Sequence, residues 1–559
     1  MPLAAARCSG SHPFFILLIF NSYLPTSHPL FCTQIAKRAA LAAVLALAAP
    51  GAFAQTITLD GISNMRRSLL SPIYAGNEVK GYVTFARGDK ADRKNDNYLL
   101  DLYDQDLKKV SSITLQKPSG RYILLRNTFN GSAFAFYFYN GKDETLELDT
   151  YDTSLQKLGS KVIGELTKSD LRAVQMQTRF ADPAAGGFMM GLNLFPVPGL
   201  GFVRNGYTGS MAKGYTLAIY DDKLGMHWRT TSNENAKEYE SLNLTEAADK
   251  YLLGVMLRRD GLMSRKATSY MVALDAKTGK KLLDLPVETS KTEQLSLSSF
   301  TFDADKREFV AVGEYYKLDD KPFVNKSQGF YVKRFSEAGK PVSTKNYGWQ
   351  REVAALMPAD AKASLEDNYV NYNQAILKGA NGHMFVVAEQ FKIVGDGLGI
   401  AANILSGGHT SASVSKSKVG NLLIFELDQD AKLANVKFYP KTVTNAELPA
   451  GTGFMGAGLL GQIMKVQGDF DYQFVQKNDD NSKFNVVYVN FDKEKGEAAK
   501  TYVGNIGFGD NGQYTVDKIE MPAGPTASYL YPAKPGYVLI ADYLKKKKTL
   551  DMRLVKVNN

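Results

Sequence analysis

The chain of 559 residues carries 67 Lys and Arg against 57 Asp and Glu, a formal net charge of +10, with 44% hydrophobic residues and two cysteines. That length buries a large core without covalent staples, and so mild a charge excess tolerates acidic partners without demanding one. Both cysteines, Cys8 and Cys32, lie near the start, so the rest of the chain is barred from disulfides and thiolate metal sites.

The first legible element is an export signal. Lys37-Arg38 precede the apolar run Ala39 to Ala49, a break at Pro50-Gly51, and Ala52-Phe53-Ala54. Basic, apolar and small residues in that order are what a bacterial-type translocon and signal peptidase read, which places cleavage after Ala54. The run is too short for a permanent anchor, and no later stretch reaches eighteen apolar residues. The reading divides the chain into residues 1–54, extension plus signal, and 55–559, a single exported domain without a transmembrane anchor, periplasmic or extracellular. Its net charge falls to +7, because residues 1–54 hold Arg7, Lys37, Arg38 and no acid. Residues 1–36 are read either as an over-extended start or as half of a two-part signal, with Phe14 to Phe20 as a second apolar patch. Phe31 before Cys32 is wrong for lipoprotein processing, which needs a small residue there.

Beyond Gln55 one pattern recurs: a strand rich in β-branched and aromatic residues, a polar turn, and a second strand. It reads YLLDLYDQDLKKV from Tyr98, TLELDTYDTSLQKL from Thr145, YTLAIYDDKLGM from Tyr215 and SYMVALDAKTGKKLL from Ser269. It returns as GFYVKRFSEAGKPV from Gly329, NLLIFELDQDAKLANV from Asn421 and FNVVYVNFDKEKGEA from Phe484. Asp, Asn and Gly supply the side-chain hydrogen bonds or positive φ that a tight reversal needs. Two further strand candidates precede each hairpin, such as RYILLRNTF and SAFAFYFY around Asn130-Gly131. Four antiparallel strands per repeating unit is the signature of a β-propeller blade. The final unit runs out after LDMRLVKV, one strand short, while Thr56 to Leu59 (TITL) is a strand without a unit. Sharing would hide both open edges, so the expectation is an all-β, eight-bladed propeller of four-stranded antiparallel blades closed by the N-terminal strand. Seven blades or tandem β-sandwiches are the alternatives.

The turn LDAKTGKKL, Leu274 to Leu282, resembles the blade hairpin of quinoprotein-like (pyrroloquinoline quinone type) propellers, which often have eight blades. The resemblance implies the ring; the paired cysteines typical of the quinone dehydrogenases are absent from the exported chain, which argues against their redox cofactor.

In such a ring, first-to-second and third-to-fourth connections share one face, and second-to-third and blade-to-blade connections the other. The first set reads as uniformly short. The long insertions, 167–187, 348–367, 392–420, 442–462 and 505–526, all fall in the second set, which makes that face the candidate binding face. Two of them place Met and Phe among glycines, Phe188, Met189 and Met190 in one, Phe454 and Met455 in the other: adaptable apolar surface for a peptide or hydrophobic ligand, or a plug for the central channel. As a surface loop, 442–462 should be removable within about 2 kcal/mol of stability. GDGLGIAANILSGG from Gly395 superficially matches a dinucleotide loop but follows no βαβ pattern.

Basic clusters mark the same face: Arg87, Lys90, Arg93 and Lys94; Arg258, Arg259, Arg265 and Lys266; Lys545 to Lys548. They suit an acidic glycan or headgroup, or are solvated hairpin tips. Nucleic acid is not expected. Of the histidines only His409, in the Gly-Ser insertion, is a site candidate. No metal is assigned: Asn478 to Asn481 leaves calcium open but lacks DxDxDG order. GxSxG, HExxH and P-loop motifs are missing. The reading is therefore a non-enzymatic, monomeric propeller binding an envelope protein, peptide or glycan, with a carbohydrate hydrolase or lyase using channel carboxylates as the alternative.

Overall fold

The computed structural model describes residues 56–62, 70–119, 122–141, 143–165, 171, 193–208, 213–233, 236–261, 267–287, 292–320, 325–359, 361–366, 369–394, 416–447, 460, 461, 464, 465, 467–493, 498–509 and 511–558. The strands group into eight antiparallel sheets in chain order: residues 70–118, 122–165, 193–231, 239–286, 293–348, 370–447, 472–520, and 527–556 joined by 56–59. These are blades 1 to 8 of a β-propeller. Blade 8 is completed from the N-terminal side as expected: Thr56 pairs with Arg553 and Leu59 with Leu550. Thr58 Oγ1 donates to Asp551 Oδ1 at 2.7 Å, and the Ile62 amide reaches the Lys548 carbonyl at 2.8 Å.

Fourth strands such as Lys109–Pro118 and Tyr514–Glu520 alternate between exposed and half-covered positions, so they form the rim. The second and third strands are buried almost throughout. First strands of neighbouring blades adjoin one another, as those of blades 1 to 6 do in turn, and ring the axis. Each of the eight seams has its own apolar cluster, as at blades 1–2, where Phe85, Phe136 and Phe138 pack with ring centroids 5.4–5.5 Å apart. Stability is thus assembled seam by seam, by burial of aromatic and branched side chains.

The third-to-fourth turns explain the recurring sequence pattern. In blades 1, 2, 3 and 6 they spell Asp-x-x-Leu or Asp-x-x-Ala, at Asp104, Asp152, Asp221 and Asp428. Each Asp Oδ1 accepts the backbone N–H groups two and four residues ahead, at 2.8–2.9 Å. The closing Leu107, Leu155, Leu224 and Ala431 adopt φ between 59° and 65°, unusual for residues with a Cβ. Their side chains are buried, so seam burial offsets the backbone strain.

Blade 7 corrects the sequence reading. FNVVYVNFDKEKGEA holds the second strand, Phe484–Asp492, and its second-to-third turn; the true third-to-fourth turn lies between Phe508 and Tyr514. Residues 505–526 are accordingly not a long insertion but most of the strand pair Lys500–Phe508 and Tyr514–Glu520 with a short link. The misreading arose because the second strand also ends in an aromatic-Asp-Lys-Gly turn. The division of faces holds: connections of the first set span two to six residues each. The connection from 349 carries a π-helical turn, Trp349–Val353, and two short helices, Ala354–Leu356 and Ala363–Glu366, whose Trp349, Val353, Met357 and Leu365 fill the top of the blade 5–6 seam.

Candidate functional site

The most elaborated seam lies between blades 6 and 7. After the fourth strand of blade 6, Leu433–Tyr439, the chain places Lys441 with its side chain wholly buried. Its ammonium pairs with Glu389, from the second strand Met384–Val394, and with Asp471 Oδ2 at 2.7 Å. Asn490 Nδ2 donates to Asp471 Oδ2 at 2.8 Å, Thr444 Oγ1 to Asp471 Oδ1 at 2.9 Å, and the Tyr472 amide to Glu389 Oε2 at 3.1 Å. Burial pushes the Glu389 carboxyl up against the pull of Lys441. Burial also works against the ammonium, but the two carboxylates outweigh it and hold Lys441 above its ordinary value. Such a network is worth little net stability against an apolar filling, yet breaking one member leaves an uncompensated buried charge.

Next to it the chain adds a short strand, Thr444–Glu447, paired with Lys416–Val419 at the insertion-bearing end of blade 6. Ala446, Leu460, Met464 and Phe470 pack with Phe391 and Val419, and Phe470 stacks on Tyr372 at 5.3 Å and 15°. Above the network opens a pocket of about 410 Å³ lined by Thr444, Asn445, Ala446, Gly468, Asp469, Phe470, Asp471, Gln473, Val489, Asn490, Phe491 and Thr501. These residues sit at strand ends on the face with the long connections. Asp469 Oδ2 is sealed from water with no hydrogen-bond partner, and burial pushes this carboxyl up to about 6. The walls therefore offer hydroxyls, carboxamides, one under-compensated carboxylate and two phenyl rings, held by a rigid base.

Most residues singled out from sequence lie outside the described residues: Phe188, Met189, Met190, His409, Phe454, Met455 and Arg265. Arg258 is not a free rim cation. Its guanidinium bonds Glu240 at 2.9 Å and Asp284 at 2.6 Å and lies 4.1 Å over the Tyr270 ring, which ties it into blade 4. Arg259 stands 5.8 Å over Tyr239. The oxygens of Asn478 and Asp480 cap their own turn, and Asp479 accepts the Asn77 amide from blade 1. Among the described residues no three potential ligands gather as a metal centre. Residues 442–462 are not a detachable loop, since Ala446 and Leu460 are core. Sequence reasoning missed Glu389, Lys441, Asp469 and Asp471; the alternating acids of GDFDYQF from Gly468 were the one local signal.

Ring closure, eight seams and a polar pocket on the elaborated face define an eight-bladed β-propeller with a candidate ligand site between two blades. The chain belongs to the family described as "Family of unknown function (DUF6770)", whose model matches residues 35–558. No curated protein matches the sequence. Similar solved structures include the dihydro-heme d1 dehydrogenase NirN in complex with DHE, at 10% identity and TM-score 0.38, covering 87% of this chain and 73% of that one. A polysaccharide lyase, the PL25 ulvan lyase, is similar at 10% identity and TM-score 0.37, covering 77% and 91%. The β-propeller domain of the Trilobed protease from Pyrococcus furiosus is similar at 10% and 0.34, covering 81% and 98%.

Proposed function

We propose that this chain is an exported, non-enzymatic propeller that binds an envelope ligand or partner in the blade 6–7 pocket on its insertion-bearing face. The observation that carries the reading is the pocket itself: about 410 Å³ of polar and aromatic wall, set on a charge network that spends Lys441, Glu389 and Asp471 on rigidity. A site whose supporting groups are locked binds without ordering cost. Export rests on Lys37 to Ala54, and among the described residues no helix is long and apolar enough to cross a membrane. The hairpin at Leu274 lends the quinoprotein-like ring, while the lack of cysteine beyond Cys32 argues against quinone redox chemistry.

The test is capture from envelope extract by immobilised chain starting at Gln55, followed by mass spectrometry. Thr501→Trp narrows the pocket from an exposed position, and Lys108→Trp is a matched change on the opposite face. Loss of a captured species with the first variant and retention with the second supports the reading. Equal capture by both overturns it.

A further inference from the structure

Buried charges in this ring are generally paired. Arg334 bonds Asp303 and Glu308, Lys117 bonds Asp149, and Lys441 bonds Glu389 and Asp471. Arg126 departs from that rule. It lies on the first strand of blade 2, Tyr122–Phe129, one of the strands that ring the axis. Its guanidinium lies 5.4 Å over the Phe195 ring of blade 3, and among the described residues no salt bridge or hydrogen bond joins it to an acid. Protein surrounds the group and holds its pKa below the ordinary arginine value, yet the residue keeps partial exposure. A desolvated guanidinium without a counter-ion is costly. A guanidinium carries a planar fork of donors that fits carboxylate or phosphate.

A second cation on the inner wall is similarly placed. The first strands of blades 2, 4, 5, 6 and 7 each carry a β-bulge, at Leu125, Thr245, Ser298, Gln374 and Gln473. Arg126 follows the first of these. At the fourth, the Lys465 ammonium donates to the Gln374 carbonyl at 2.7 Å and has no carboxylate partner among the described residues. Both polar atoms of the Gln374 carboxamide are buried and unpartnered. Bulges re-aim side chains; Arg126 directly follows one of them, and the Lys465 ammonium bonds the backbone of another.

We propose that the central channel, at the level of the inner-strand bulges, holds an anionic group, carboxylate or phosphate, on Arg126, with Lys465 adding positive potential from blade 6. This site is separate from the blade 6–7 pocket, so either can fail without the other. The net charge of +7 on residues 55–559 favours the approach of such ligands.

The test measures thermal shifts of the chain from Gln55, as wild type, Arg126→Gln and Arg126→Lys, with inorganic phosphate, D-glucuronate or glucose at fixed ionic strength. A saturable rise in the wild-type Tm with phosphate or glucuronate but not glucose is expected, and the responding anion identifies the source of the charge. The response should weaken about tenfold or more in Arg126→Gln and less in Arg126→Lys, which keeps charge but loses the fork. Without ligand, Arg126→Gln should melt no lower than wild type, because it removes an unpaired buried charge. The inference is overturned if neither anion shifts the wild type, if glucose acts equally, if Arg126→Gln responds as wild type does, or if it melts more than about 5 °C lower.

Discussion

Replacing Lys441 with Met tests whether the blade 6–7 seam is held by its charge network. The substitution keeps apolar volume but strands Glu389, wholly buried, and Asp471, nearly so, without their shared cation. Removing one partner of a buried pair costs about 3–5 kcal/mol. With an unfolding entropy of about 2.1 cal/mol/K per residue, about 500 residues give roughly 1 kcal/mol/K, so the Tm should fall by about 3–5 °C. Glu389 adds a pH signature. Burial already raises it and Lys441 opposes that rise, so in the variant its folded pKa climbs further above the unfolded value. A raised carboxyl destabilises fully above its folded pKa, and the penalty fades as pH falls toward the unfolded value near 4.3. The deficit, read by calorimetry, should therefore be largest at pH 8, shrink by pH 5, and be partly repaired by adding Glu389→Gln. A loss below about 1 °C, or a deficit that grows on acidification, would refute the reasoning.

Three further outcomes follow from the same geometry. Asp469→Asn should raise the Tm at pH 7–8 and do nothing below about pH 4, because the penalty on the wild-type carboxyl, pushed up to about 6, is full above that pH and fades as pH falls toward the unfolded value near 3.9; a difference of roughly 2 between folded and unfolded values bounds the gain at about 3 kcal/mol, and partial exposure reduces it to about 1 kcal/mol. Deleting residues 442–462 should lower stability by more than about 4 kcal/mol, as expected when buried Ala446 and Leu460 are lost with a paired strand; an unchanged melting curve would make the segment a surface loop. Thr58→Cys with Asp551→Cys should form an intramolecular disulfide on oxidation in a chain begun at Gln55, since these residues face each other across the closing pair; reduced thiols or linked dimers would argue against closure.

Much of the ring was legible because it rests on local chemistry. The Asp side chain that caps the turns of blades 1, 2, 3 and 6, the buried Leu or Ala that closes them and the unpaired strand TITL are all short-range signals, and they gave eight blades and the sorting of connections. Blade 7 slipped by one strand because a second-to-third turn used the same residues as a third-to-fourth one. The candidate site was far less legible. Glu389, Lys441 and Asp471 meet only after two blades fold, and beyond the alternating acids at Asp469 and Asp471 nothing in their neighbourhoods marks them. Arg258 shows the converse: in sequence it belongs to an exposed-looking basic run, while Glu240, Asp284 and Tyr270, supplied by other strands, partner it. The inner-strand bulges that present Arg126 and Gln374 answer to ring packing rather than to any turn residue.

Hydrogen exchange of the chain from Gln55, with and without the species it captures from envelope extract, tests the binding account most directly. Protection should rise at residues 467–473, 489–491 and 501, with the short turns of the opposite face unchanged. Protection confined to those turns, Asp104 to Lys108 and their counterparts, would contradict the choice of face and pocket together.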